Sequence, residues 1–199
     1  MKNKKLIYGI GINDADYVVT QHAKENNKYK MVWRCPLYRA WRSMIKRCYS
    51  DKYHQTHPTY IGCSVCDEWL TFSNFKSWMK KQDWERKHMD KDLLIQGNKI
   101  YSPETCLFVD AKINTFVTDS GAIRGECMIG VSWKQDRNKF QSQCRNPFTG
   151  KKEFLGYFRD ELEAHLAWKA KKHEMACLLV DSKYCTSPIV AQALRTRYI

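Results

Sequence analysis

The stretch Met89-Asp-Lys-Asp-Leu-Leu-Ile95, continued by Gln96-Gly-Asn-Lys99, Cys106-Leu-Phe-Val109 and Ala111-Lys-Ile-Asn114, decides how the first half of this chain is read. Leu93-Leu-Ile95 predicts a short strand, Gln96–Lys99 with its glycine a turn, and Cys106–Val109 a second strand. Asp110 is a good N-cap, because its carboxylate can accept from an amide that the first helical turn leaves unpaired. A helix is therefore expected from Ala111, with Asn114 one turn in. The local order is strand, turn, strand, helix, and a plain hairpin-plus-helix without any ligand would carry the same pattern.

Residue by residue, this stretch resembles the ββα-metal core of HNH nucleases. The resemblance implies one divalent ion, Mg²⁺ or Mn²⁺, with Asp90 at the position of the ligand Asp and Asn114 at that of the helix Asn. It departs from the family where Asp-His should stand: this chain has Asp90-Lys91, and Thr105 stands where the family often has an Asn that braces the loop. Phosphodiester hydrolysis needs a water deprotonated near neutral pH. Histidine titrates near ~6.5 and lysine near ~10.4, so Lys91 stays protonated unless strongly desolvated and is suited instead to holding a phosphate. Two routes to cleavage stay open. A metal can acidify its own bound water, and His88 on a strand would share a face with Asp90. His88 and Lys91 are thus the catalytic candidates, against the reading of His88 as a solvated residue between Lys87 and Met89.

The charge of the chain bears on its partner. Its 199 residues, 43% hydrophobic and 13% aromatic, suffice for one large or two small domains with real cores. Thirty-four Lys plus Arg against 21 Asp plus Glu give +13, and the excess is not confined to a tail, since both halves are cationic. Charge of this kind points to a polyanion, double-stranded DNA first, although a merely soluble cationic protein would share it. No apolar run approaches the ~18 residues of a membrane span. Met1-Lys-Asn-Lys-Lys leads only to Leu6–Ile10 before Asn13 and Asp14, so a cytoplasmic protein is expected, in the host cytoplasm if phage-encoded. Nothing suggests a small-molecule cofactor.

Nine cysteines fit reduced thiols better than a disulfide frame. Cys63-x-x-Cys66 supplies one half of a structural Zn²⁺ site, and Cys35, Cys48, Cys106, His54 or His57 would have to complete it from scattered positions. Small buried thiols are the expectation.

Before the core, Leu6–Ile12 predicts a strand followed by a mobile polar connection to Lys30. After Cys35-Pro36, the spacing of Tyr38, Trp41, Ile45 and Cys48 predicts an amphipathic helix whose other face carries Arg39, Arg42, Lys46 and Arg47. That basic face could lie along phosphates or simply be solvated. Asp51–Ile61 reads as a loop. Thr71 predicts an N-cap for a helix whose Phe72, Phe75, Trp78 and Met79 recur at helical spacing, as core rather than as a base-stacking platform.

The second half reads differently. Met128–Trp133, Lys139–Arg145 and Lys152–Phe158 predict three short strands with turns at Gln135–Asn138 and Asn146-Pro-Phe-Thr-Gly150, then a helix capped near Asp160. Period two puts Lys139, Gln141, Gln143 and Arg145 on one face of the middle strand and Phe140, Ser142 and Cys144 on the other. On the helix, Ala164, Ala167 and Ala170 beside Trp168 permit close packing on a sheet.

Gly130-Val-Ser-Trp133, Lys139-Phe140, Gly150-Lys-Lys152, Leu155-Gly-Tyr-Phe158 and Glu163-Ala-His-Leu-Ala-Trp168 resemble the DNA-binding domain of plant Apetala and ethylene-response factors, which also accompanies HNH cores in phage and bacterial proteins. The resemblance implies a sheet laid in the major groove, with Trp133, Lys134, Arg137, Lys139, Gln141, Gln143 and Arg145 as contact candidates and Lys151 and Lys152 near phosphates. Arg and Lys can read guanine and Gln adenine. Plant members carry more arginine in the middle strand than Gln141 and Gln143 provide.

The expected fold is α+β: N-terminal helices with a ββα core over 1–118, a linker over 119–127, a three-stranded antiparallel sheet packed on one helix over 128–181, and a tail over 182–199 with a short helix. The expected function is that of a phage or mobile-element DNA-binding protein, with a weakly active HNH-like endonuclease core. A catalytically inactive duplex binder and a host-protein interaction factor are the alternatives.

Overall fold

A computed structural model describes residues 6–118 and 125–199; most of the expected linker, and Met1–Lys5, lie outside them. The fold is mixed α+β, with six α-helices and four small sheets among the described residues. By compactness the chain divides between Phe108 and Val109. No described helix is long and apolar enough to cross a membrane.

The first unit is built on α1 (Pro36–Tyr49) and α3 (Phe72–Met79). As the periodicity predicts, Tyr38, Trp41, Ile45 and Cys48 are buried, and they meet Phe72 and Phe75. Trp41 is fully buried, so its indole N–H needs a partner, and it donates to the Trp69 carbonyl at 2.7 Å. Thr71 sits at the N-cap of α3, but its side chain makes no capping bond; Asp14 Oδ1 accepts from the Ser73 amide at 2.9 Å instead.

Three local expectations are corrected here. Leu6–Ile12 is not a strand: Tyr8 and Gly9 turn the chain through positive φ, and Ile12 bridges in parallel to Thr71. Asp51–Ile61 is not a loop but α2 (Asp51–Thr56), whose cap Ser50 accepts from the Tyr53 amide, and a 3₁₀ turn over Pro58–Tyr60. The polar connection contains a hairpin of β1 (Thr20–Glu25) and β2 (Lys28–Arg34), joined by Asn26-Asn27 with φ of 48° and 58°. Two successive positive φ values are the mark of a type I′ hairpin turn.

In the stretch that opened the reading, Leu93–Ile95 is not a strand. It is a loop, within which Leu93 is buried at 3% exposure, Leu94 is half-buried and Ile95 is 55% exposed. The strand lies earlier, as β4 (His88–Asp90), which pairs with β6 (Leu107–Val109). Two-residue β3 (Ser64–Val65) and β5 (Ile100–Tyr101) pair in parallel beside them.

The second unit begins with α4 (Ala111–Val117), capped as expected by Asp110, whose side chain accepts from the Lys112 amide at 2.7 Å. The predicted antiparallel sheet follows, β7 (Val131–Lys134), β8 (Lys139–Arg145) and β9 (Lys152–Phe158), packed on α5 (Glu161–Val180) through Ala164 and Trp168. Gly130 makes this packing possible: at φ +82° it sits so close to Trp168 that a Cβ would lie 2.1 Å from the indole. The tail folds as α6 (Pro188–Thr196), burying Val190 and Leu194, and Tyr198 packs its ring edge-on against Phe116.

Candidate nucleic-acid interface

Strand register assigns each side chain of the β7–β8–β9 sheet to a face. Val131 pairs with Ser142, Trp133 with Phe140, Phe140 with Phe158 and Cys144 with Glu153, and this is the side that meets α5, where Ser142 and Cys144 are buried. The opposite side carries Ser132, Gln141 and Tyr157 in one row, Gln143 beside Phe154 in another, Lys134 opposite Lys139 at one end and Arg145 opposite Lys152 at the other. The single carboxylate of the three strands, Glu153, lies on the helix side, held by the Asn146 amide and Lys171.

Period two thus assigns Lys139, Gln141, Gln143 and Arg145 to one outer face as expected, and Lys134 and Lys152 join them. Trp133 does not. Its register places it on the α5 side, edge-on to Phe140 at 4.8 Å, although the ring stays 40% exposed. Gln141 lies on the outer face but is only 8% exposed, in the middle of the sheet. Arg137, from the β7–β8 turn, lies 4.8 Å over the Tyr157 ring. Lys151 is exposed in the β8–β9 loop, which Asn146 organises by accepting from the Phe148 and Thr149 amides.

Phe154 and Tyr157 were not among the sequence candidates. Strict alternation would put them on opposite faces, but a bulge at Leu155-Gly156 shifts the register, and Gly156 takes φ +137°. The two rings end on the outer face with centroids 5.0 Å apart, 54% and 36% exposed. The glycine within a strand is the sequence signal that could have found them.

The two cationic pairs have a clear electrostatic meaning. Like charges directly opposite on neighbouring strands repel. Arg145 has one local partner, the Gly150 carbonyl at 3.0 Å. Among the described residues no carboxylate forms an ion pair with Lys134, Lys139, Lys151 or Lys152; the ion pairs nearby are Arg137 with Asp136 and Lys171 with Glu153.

In the first unit, His88 and Asp90 share a face of β4, His88 exposed and Asp90 half-buried. Asp90 Oδ1 accepts from the Asp92 amide at 2.8 Å and the Leu93 amide at 2.6 Å, so it shapes the turn that follows. Lys91 points inward, 7% exposed, with its ammonium on the Asp92 carboxylate and the Asn98 carbonyl. These residues do not fit a divalent ion well. One Asp90 oxygen serves the turn, Asp92 Oδ1 serves Lys91, and no three His, Cys, Asp or Glu side chains converge on a metal among the described residues. Asn114 belongs to α4 in the second unit, where its backbone N–H donates to the Asp110 carbonyl.

The thiols follow the same pattern. Burial pushes Cys48 and Cys106 up to about 12, so both are protonated near neutral pH, and Cys63 is 5% exposed. On the basic face of α1, Arg42 lies over Tyr8, Lys46 over Tyr53 and Arg47 over Tyr60, at 5.1, 4.7 and 5.7 Å. Three of its four cations therefore have aromatic partners within the unit.

Comparison with protein-family models, with curated proteins and with solved structures finds no match.

Proposed function

We propose that this chain binds double-stranded DNA through the outer face of the β7–β8–β9 sheet, and that its HNH-like stretch serves as scaffold rather than as a catalytic centre. The observation that carries the reading is the pair of cross-strand cation pairs, Lys134 with Lys139 and Arg145 with Lys152, at opposite ends of a face without a carboxylate. Six residue steps separate Lys139 from Arg145, roughly 20 Å. That exceeds the ~12 Å width of the major groove, so cations at both ends can reach bordering phosphates while Gln143 and Ser132 face base edges. Phe154 and Tyr157 add apolar surface suited to thymine methyls and sugars.

In this reading Lys91 is a structural cation. Asp90 keeps the residue type of a nuclease ligand, but its carboxylate accepts from the Asp92 and Leu93 amides, and Asn114 keeps its type within α4.

Duplex affinity measured against salt tests the binding. Wild-type protein should show a steep fall, and Lys134→Ala/Lys139→Ala and Arg145→Ala/Lys152→Ala should each flatten the log–log slope by roughly 2, at about 0.9 per phosphate contact. Equal slopes for all three proteins would sink the sheet as interface. Supercoiled plasmid with Mg²⁺ or Mn²⁺ tests the scaffold role: wild type, Asp90→Ala and Asn114→Ala should leave it equally intact. Nicking by wild type that both variants lose would restore the endonuclease reading.

A further inference from the structure

Among the described residues, the β1–β2 hairpin is the one sheet whose two faces both meet solvent. Every strand residue except Thr20 and Arg34 is exposed, including Tyr29 at 76%, Val32 at 61%, Met31 at 49% and Trp33 at 42%. A two-stranded hairpin is marginal on its own in water, so this ribbon gains little from the protein that carries it. Its charge is one-sided: Lys24, Lys28, Lys30 and Arg34 stand against Glu25 alone, which pairs with Lys30 at 2.5 Å.

The distribution of side chains argues for the kind of partner. Lys24 pairs across with Tyr29, and His22 with Met31, on one face; Ala23 with Lys30, and Glu25 with Lys28, occupy the other. The bulge between Gln21 and His22 moves Trp33 to the face opposite Tyr29 and Met31. Cations and large apolar groups are thus divided between both faces. A protein surface or a second sheet would cover one face and leave the other wet. A groove walled by phosphates covers both.

We infer that the β1–β2 hairpin is a second nucleic-acid-binding element, a basic ribbon that enters a groove of duplex DNA. The inference rests on the duplex-binding reading above for its partner but on a separate element for its evidence. A two-stranded ribbon fits the major groove, which is ~12 Å wide, and six residues of strand reach roughly 20 Å along it. Lys24 on one face and Lys28 on the other meet phosphates on the two sides, and Lys30 joins them by exchanging its exposed Glu25 partner for a phosphate. Tyr29 and Trp33 supply flat apolar surface toward bases and sugars.

The test uses the full chain with a mixed-sequence duplex and the matching single strand as probes. Three variants are compared with wild type: Lys24→Ala/Lys28→Ala/Lys30→Ala, Tyr29→Ser/Trp33→Ser, and the sheet variant Arg145→Ala/Lys152→Ala. The lysine variant should lose roughly 2 to 3 from the slope of log affinity against log salt, as three phosphate contacts require. The Tyr29/Trp33 variant should keep that slope and bind several-fold more weakly. Hydrogen exchange of the hairpin amides should slow when duplex is added, to wild type and to the sheet variant alike.

Unchanged slope with unprotected hairpin amides, while the sheet variant still loses affinity, would overturn the ribbon and leave the sheet reading standing. Loss in the ribbon variants with none in the sheet variant would support the ribbon and end the sheet reading. No duplex binding by wild type at low salt would overturn both. Protection by the single strand alone, or a dimer that dissolves in the lysine variant, would replace the duplex as occupant.

Discussion

Ser142 is fully buried on the helix side of β8, and its hydroxyl has no hydrogen-bond partner among the described residues. A buried donor without a partner is a cost, so Ser142→Ala should leave stability unchanged or raise it by up to about 1 kcal/mol, read as a small rise in Tm. Lys91 should behave in the opposite way. Lys91→Ala removes an inward ammonium from the Asp92 carboxylate and the Asn98 carbonyl. Because Asp92 is 43% exposed, solvent takes up part of the loss, and about 1–3 kcal/mol is expected by urea titration. Duplex affinity should not move, whereas a phosphate-gripping Lys91 would weaken binding on removal. Neither position's environment could be read from its neighbours. Lys91 looks like a surface cation beside two aspartates, and only the fold of the Asp92–Lys99 loop turns it inward.

Elements differ in how openly their sequences declare them. The α1 helix is legible because Tyr38, Trp41, Ile45 and Cys48 must all be buried, and burial imposes the period. The hairpin is less so, because its alternation is confined to Lys28-Tyr29-Lys30-Met31 and β1 is polar throughout but for Ala23, so the Asn26-Asn27 turn is its clearest mark. The buried face of α1 also sets a pH dependence. Burial raises Cys48 from 9.0 to about 12, and Cys106 likewise, so the native state holds both thiols neutral. A group whose pKa is raised on folding contributes fully below its unfolded value. Stability should therefore hold up to about pH 9 and fall progressively toward pH 12, and iodoacetamide should label both thiols slowly until urea unfolds the chain. The α5–sheet contact is the most exacting in the second unit. Gly130→Ala places a methyl inside the Trp168 ring at a backbone angle that alanine resists. Destabilisation of about 2–3 kcal/mol or more is expected by thermal unfolding.

Across the whole molecule, the α+β class, the three-stranded antiparallel sheet and its helix were legible because strand, turn and helix signals agree there. In the opening stretch the strand at Leu107–Val109 and the capped helix after it were legible, but the first strand was not: Leu93–Ile95 is a loop, and the strands before it and after it are β4 and β5. At the candidate interface, alternation gave the cations and glutamines of β8, while the bulge at Leu155-Gly156 hid Phe154 and Tyr157 and the register moved Trp133 to the helix side. Those two rings also make a prediction: Phe154→Ala should weaken duplex binding several-fold without changing its salt dependence, a separation that fluorescence anisotropy across a salt series can resolve. The opposed cations of that face have one more consequence. In the free protein they push the strands apart, and a polyanion bound there as proposed would remove the push and tighten the sheet. A protease that samples opened molecules would then clear the unbound copies first, and occupancy on nucleic acid would set how long each copy lasts.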